Sequence, residues 1–255
     1  MIEWTAYGQT DRGRSRPTNQ DALLVDNRSR LWAVADGMGG HPGGDIASRL
    51  VIDALVHAGP TLQVCDSRAN LSERLTGIVQ QAHEAIRHYT ATHPEYAGMG
   101  TTLVIAHISQ GPPPELRVAN VGDSRAYLVR GECIAQLTRD HTLVDDYVRQ
   151  GHLTVAQAAV HPERHVLTRA MGLGSAIDVD LFSQPLLDGD VVLLCSDGLT
   201  KMLTDPQILD LILRHRHHPD RMPHKLIDAA LERGGIDNIT VVVCSNFRLP
   251  EGNSH

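Results

Sequence analysis

Aromatic side chains are scarce, with Phe, Trp and Tyr together making up 4% of the 255 residues. A core is still available, because 42% of the chain is hydrophobic. It has to be built from Val, Leu, Ile and Ala. Positive charge is also short. The formal net charge of −7 argues against a nucleic-acid surface, since a phosphate backbone needs a basic face. Cys65, Cys133, Cys195 and Cys244 stand far apart with no CxxC pair, which argues against a zinc ribbon or a thioredoxin-type site. No apolar run approaches the ~18 residues of a membrane span. The segment 1–14 lacks the apolar centre of a signal peptide. A cytoplasmic protein with no membrane and no nucleic-acid partner is expected. With no Ser/Gly-rich linker and no repeat of ~20–50 residues, a single domain is expected.

What is present centres on the stretch Leu31–Asp45. An apolar run, Leu31–Ala35, ends in Asp36-Gly37, and Gly39, Gly40, Gly43 and Gly44 follow. The run reads as a buried strand, and the glycines as backbone that turns tightly or approaches something closely. An acid at the end of a buried strand is costly without a partner. The pattern recurs: Asp21, Asp123, Asp197 and Asp237 also flank apolar strands. Each alone reads as a turn former. Together at one end of packed strands, five carboxylates would raise one another's pKa unless a cation held them. An all-oxygen donor set suits Mg²⁺ or Mn²⁺. Arg12, Arg14 and Arg16 alternate in the polar segment 10–21 and would share a face in an extended chain. They read either as a solvated loop or as an anion clamp. Acids for a metal plus an arginine segment for an anion suggest metal-assisted phosphoryl hydrolysis.

The remaining chain supplies the frame. Strands are expected at 2–8, 22–26 and 31–35, the last two joined by a turn at Asn27–Arg30. Helices follow at 45–58 and across Leu71, Leu75, Ile78, Val79, Ala82, Ile86 and Tyr89, whose spacing keeps the helical period. Strands at 99–108, 115–121, 124–130 and 133–137 stand at hairpin spacing and predict an antiparallel meander. Residues 139–175 carry two short helical patterns and read as an inserted flap, too short for a core of its own. A strand at 190–199, helices at 206–215 and 223–233, and a strand beginning after Asp237 complete the domain at 1–246, with 247–255 a polar tail. Cys133 and Arg139 satisfy C-x5-R, the skeleton of cysteine phosphatases, but the residues between lack glycine and read as strand. His215, His217 and His218 read as a helix end on the surface.

In order, Thr10-Asp-x-Gly-x-x-Arg16-x-x-Asn-Gln-Asp21, Ala35-Asp-Gly-Met-Gly-Gly40, Met99-Gly-Thr-Thr102, Val121-Gly-Asp-Ser-Arg125, Asp140-His-Thr142 with His161-Pro162, Leu194-Cys-Ser-Asp-Gly198 and Gly235-Ile-Asp-Asn-Ile-Thr240 resemble the metal-dependent Ser/Thr protein phosphatases, the PPM or type 2C family, in its bacterial form. The resemblance implies an α+β fold: a four-layer α-β-β-α sandwich, two central antiparallel sheets flanked by helix pairs. It implies that Asp36 bridges two core Mn²⁺ or Mg²⁺ ions, with the Gly37 carbonyl, Asp197 and Asp237 as the other ligands and Asp21 in support. Asp123 with Asp197 would hold a weaker third ion, and Arg16 would grip the substrate phosphate. The implied reaction is hydrolysis of phosphoserine and phosphothreonine in proteins, a metal-bridging hydroxide attacking phosphorus in line. The implied partners are phosphorylated substrates of a Ser/Thr kinase. The alternative is a catalytically weak phosphoprotein-binding module of the same fold. The chain departs from the eukaryotic branch at Met38, where that branch carries a histidine credited as general acid. His41 is the candidate replacement, with a solvated loop histidine as the other reading. Gln20 stands where Glu is frequent.

Overall fold

The computed structural model describes residues 3–38, 42–62, 68–109 and 113–246, the side chains of residues 68 and 69 excepted. Asp26 and Leu31 close an antiparallel hairpin between β2 (Asp21–Asp26) and β3 (Leu31–Asp36), as the turn residues predict. β3 is apolar at every position from Leu31 to Ala35 because both of its faces are covered. Ala33 and Ala35 face the helices α1 (Gly44–Leu62) and α2 (Arg68–Thr92), while Trp32 and Val34 face a second sheet. β4 (Leu103–Ile108), β5 (Glu115–Val121) and β8 (Asp180–Pro185) complete the first sheet, in the order β2-β3-β4-β5-β8.

The second sheet runs β1-β10-β9-β6-β7, from β1 (Thr5–Asp11), β6 (Arg125–Arg130), β7 (Cys133–Gln136), β9 (Val191–Cys195) and β10 (Ile239–Ser245). Every pairing in both sheets is antiparallel. β10 shows the alternation that stacks the layers. Ile239, Val241 and Val243 pack with α6 (Asp205–His215) and α7 (Met222–Glu232), and Val242 and Cys244 point into the apolar layer between the sheets. The architecture is therefore a four-layer α-β-β-α sandwich.

Two expectations need correction, and one strand goes without a sequence signal. The strands do not form one meander: β4–β5 lie in one sheet and β6–β7 in the other, so Gly122-Asp123 is a crossing between sheets, not a hairpin. β5 and β6 are both buried along their interiors, and strands of that kind can either pair or stack. The first strand starts at Thr5 rather than Ile2 and runs on to Asp11, because its pairing with β10 extends to Asp11 opposite Ile239. β8 carries no strand signal because it is half-exposed along its length and has only Leu181 and Phe182 as apolar residues before Pro185, so no apolar run marks it. Residues 139–175 hold α3 (Leu143–Arg149) and α4 (Val155–Ala159), each started by a threonine cap, Thr142 and Thr154. The tail 247–255 and His41 lie outside the described residues.

Candidate active site

Antiparallel pairing brings the acids to one edge of the sandwich. Asp21 opens β2 and lies opposite Asp36, which ends β3. Cys195, ending β9, pairs with Val241 near the start of β10, so Asp197 and Asp237 emerge side by side. Asp123 follows β5 at the crossing between the sheets. Asp36, Gly37, Asp123, Asp197 and Asp237 line one cavity of about 720 Å³, with Arg16 and Lys201 at the same wall. Asp21 lies beneath. Its Oδ2 accepts hydrogen bonds from Ser196 Oγ at 2.8 Å and Thr240 Oγ1 at 2.6 Å, which ties the first sheet to the second.

The surrounding motifs position these acids. The Asp36 N–H donates to Thr102 Oγ1 at 3.0 Å, Thr102 N–H donates to Asp36 O at 2.9 Å, and Met38 N–H donates to Gly100 O at 2.9 Å. Met99-Gly-Thr-Thr102 is thus the brace of the Asp36 loop. An added Cβ on Gly37 would stand 2.2 Å from the Gly44 carbonyl, so no side chain fits there. Asp140-His-Thr142 braces the Asp123 turn in the same way. His141 and Gly122 exchange two bonds at 3.0 Å, and Asp140 pairs with Arg125 at 2.6 Å. Gly198 packs so tightly on the next segment that an added Cβ would lie 1.9 Å from Asn238 O. That contact draws the short helix α5 (Asp197–Thr200) onto the Asp237 turn.

The three arginines do not share a face. β1 ends at Asp11, and 12–20 is irregular, so the alternation of a strand does not apply there. Arg12 donates to Pro17 O and Arg14 to Leu231 O. Arg16 alone turns to the acids, with Nε 2.8 Å from Asp237 Oδ1 and Nη2 3.0 Å from Oδ2. Three side chains of this site were not singled out from sequence: His165, which borders the cavity, Asn238 and Lys201. Asn238 Nδ2 donates to Arg12 O at 2.8 Å and Thr18 O at 3.0 Å, and its Oδ1 accepts from Gln20 N at 2.9 Å. It fastens the arginine loop to the Asp237 turn, and the signal available was its place inside Gly235-Ile-Asp-Asn-Ile-Thr240. Lys201 lies one helical turn after Asp197, with Nζ 2.5 Å from Asp197 Oδ2 and 2.8 Å from Asp237 Oδ2. The i,i+4 spacing from Asp197 was its signal.

Electrostatics separates the acids into two groups. Burial, then the charges of Asp21, Asp197, Asp123 and Asp237, holds the Asp36 carboxyl well above the usual carboxylate range. Burial pushes Asp123 up to about 8, with Asp197 and Asp140 adding to it. Burial also takes Asp21 up to about 6, against the hydrogen bonds from Thr240 and Ser196. Asp237 goes the other way: burial opposes its charge, but Lys201 and then Arg16 overcome that and hold it below the usual value. A divalent cation fits this donor set. Asp21 Oδ1 and Asp197 Oδ1 are buried with no hydrogen-bond partner, and all the donors are oxygens. Among the described residues no three acidic, His or Cys side chains converge on one point as ligands do, and Lys201 and Arg16 stand among the acids. Cys133 is exposed on the strand β7, outside this cavity, so C-x5-R forms no phosphate loop.

The family model described as protein phosphatase 2C matches residues 9–232. The chain belongs to the protein phosphatase 2C family. It is 35% identical over 247 residues to the serine/threonine phosphatase stp of Listeria innocua, covering 96% of both chains. The crystal structure of the Mycobacterium tuberculosis serine/threonine phosphatase PstP/Ppp superposes with a TM-score of 0.84 at 36% identity, over 95% of this chain and 98% of that one. A structure of the PstP catalytic domain in complex with 2 manganese ions gives a TM-score of 0.82 at 35% identity, over 95% of this chain and 97% of that one. Within the protein phosphatase 2C family, this likeness extends across both sheets and both helix layers.

Proposed function

We propose that this chain is a protein-serine/threonine phosphatase that needs Mn²⁺ or Mg²⁺. The observation that carries the reading is Asp36. It is a carboxyl at the end of a buried strand, pressed by four other acids, at the floor of a cavity with an arginine at its wall. Asp36, the Gly37 carbonyl, Asp197 and Asp237 would hold two ions, with Asp21 supporting from beneath. Asp123 and Asp197 are the acids left for a weaker third position. Bound there, the ions supply a hydroxide nucleophile near neutral pH and Lewis acidity toward phosphoryl oxygens.

The other steps belong to side chains. Arg16 presents a planar fork, and a phosphoryl group entering the cavity competes with Asp237 for it. Loading requires Asp36 and Asp123 to give up the protons that burial lets them keep. The leaving alkoxide needs a proton, and His165 is a described imidazole that borders this cavity and the adjoining one. The adjoining cavity, about 760 Å³, is walled by Val144, Val148, Val155, Ala158 and Ala159 of the flap and shares Arg16, Asp197 and Asp237 with the first. A groove continuous with the reacting centre suits the residues flanking a phosphorylated Ser or Thr, so residues 139–175 are proposed as the flap that reads protein substrates. The relatives named serine/threonine phosphatases support phosphoproteins, products of a Ser/Thr kinase, as the substrates.

The test is hydrolysis of a phosphothreonine peptide with Mn²⁺, with EDTA, and by Asp197→Asn. Metal-dependent turnover that EDTA and the substitution both abolish is expected. A chain inert in millimolar Mn²⁺ that still binds the phosphopeptide would favour the docking module.

A further inference from the structure

We propose that His83 of α2 is a positioning residue for substrate binding: its Nδ1 accepts the Gly172 N–H and fixes the turn at 171–174, which presents Leu173 to a phosphorylated peptide. The proposal rests on the phosphatase reading of the site. Ala170, Leu173 and Gly174 line the same cavity as Asp36 and Arg16, and Leu173 is 37% exposed. This wall has little backbone support. Residues 172–179 make no backbone–backbone hydrogen bond among the described residues, and Gly172 and Gly174 both have positive φ, at 88° and 74°. Ile177 and Val179 pack against the core beneath α1 and α2, which leaves 172–175 to be fixed by side chains from elsewhere.

Helix α2 supplies those side chains. Val79, Ala82 and Ile86 bury against the first sheet, and His83, 1% exposed, is the one polar side chain buried beside them among the described residues of the helix. His83 and Ile86 are three residues apart and share a face. Gly172 sits on that face. An added Cβ there would stand 2.5 Å from Ile86 Cγ2, and the Gly172 N–H donates to His83 Nδ1 at 3.1 Å. Arg87, one turn after His83, reaches Ser175 O at 3.4 Å and is a weaker tie. Burial holds the His83 pKa below its ordinary value, so the ring is neutral at pH 7 and Nδ1 is free to accept. Met171 meanwhile exchanges two backbone bonds with Thr101, at 2.8 and 3.3 Å, and Thr102 holds Asp36. The acids therefore keep their own brace when the His83 bond is lost, while the Leu173 side of the cavity does not. The loss falls on a substrate long enough to touch both sides.

The experiment compares the wild type with His83→Leu and His83→Asn, folding being followed by circular dichroism. Leu keeps bulk and removes the acceptor, whereas Asn keeps an acceptor oxygen near the position of Nδ1. Two readouts are taken: amide hydrogen exchange at Gly172, and steady-state kinetics with Mn²⁺ on a phosphothreonine peptide and on p-nitrophenyl phosphate. In His83→Leu, exchange at Gly172 and KM for the peptide should each rise about fivefold or more, the value of one hydrogen bond, with p-nitrophenyl phosphate kinetics kept within about twofold. His83→Asn should restore both. A folded His83→Leu that matches the wild type in either readout overturns the proposal, as does a parallel loss on both substrates or a His83→Asn no better than His83→Leu. Each of these failures leaves wild-type turnover, and with it the phosphatase reading, standing. Should His83→Leu not fold, wild-type exchange and Leu173→Ala decide: a protected Gly172 with a rise in KM for the peptide alone supports the proposal, and an unprotected Gly172 or an unchanged KM refutes it. A wild type that turns over neither substrate overturns the phosphatase reading and this proposal together.

Discussion

Asn238→Ala is the sharpest perturbation of the site that removes no proposed ligand and leaves the bond from Asn238 N–H to Asp237 Oδ1 available. Asn238 is 5% exposed, and its side chain makes three hydrogen bonds to backbone: two donated, to Arg12 O and Thr18 O, and one accepted from Gln20 N. Each such bond contributes a net of about 1 kcal/mol. Truncation leaves all three backbone groups without their partner, so a loss of about 3 kcal/mol is expected while the loop stays in place. For a chain of this size that corresponds to a fall in Tm of roughly 6–12 °C. The loop carries Arg16, so its loosening should raise KM for a phosphopeptide more than it lowers kcat. Urea unfolding read by circular dichroism measures the first effect, and steady-state kinetics at saturating Mn²⁺ measures the second. Asn238→Asp should be worse, since it points a carboxylate at two carbonyls beside Asp237. A stability change below about 0.5 kcal/mol with an unchanged KM would refute the idea that Asn238 fastens the arginine loop.

Four further perturbations test the rest. Asp36→Asn should lower kcat/KM by at least roughly 100-fold, since even a ligand's outer partners are worth ~10–100-fold; near wild-type turnover sinks the two-ion site. The same variant should melt higher than wild type in EDTA, because a crowded acid has been removed. Arg16→Ala should raise KM for a phosphopeptide by roughly 10–100-fold, the equivalent of about 1.5–3 kcal/mol in charge-assisted bonds, against about threefold or less for Arg12→Ala; equal effects unseat Arg16. In EDTA the native protein keeps protons on Asp21, raised to about 6, and Asp123, raised to about 8, that the unfolded chain releases above its ordinary value of about 4. Stability should therefore fall as pH rises from about 5 to 8, and saturating Mn²⁺ should flatten that slope; a Tm that climbs over this range in EDTA contradicts the assignment. Val155 is 75% exposed on α4 beside the second cavity. Val155→Asp should alter KM for phosphopeptides with apolar flanking residues while p-nitrophenyl phosphate hydrolysis is retained; parallel changes in both count against the flap as a substrate reader.

Much of this molecule follows from local pattern. The periodicity of Leu71, Leu75, Ile78, Val79, Ala82 and Ile86 predicts a helix, and those side chains are buried against the first sheet. The turn residues 27–30 close a hairpin where expected. The acids at strand ends are legible because a charge beside a continuous apolar run needs a reason, and the ordered motifs make that reason specific. All of these signals act within a few residues of one another, where backbone geometry alone relates side chain to side chain.

The tertiary structure decided what depends on chain segments far apart in sequence. The spacing of β5 and β6 suits a hairpin, and only their burial on opposite sheets makes Gly122-Asp123 a crossing that delivers Asp123 to the acid edge. Alternation places Arg12, Arg14 and Arg16 together, but the end of β1 breaks that register and leaves Arg16 alone over Asp237, 221 residues away. Asn238 and Lys201 carry little signal of their own, because their roles arise where the loop at 12–20 and α5 each close on the Asp237 turn. The five acids and their order are thus properties of the sequence. Which cations stand among them is a property of the fold, because antiparallel pairing and the Gly198 contact set those distances.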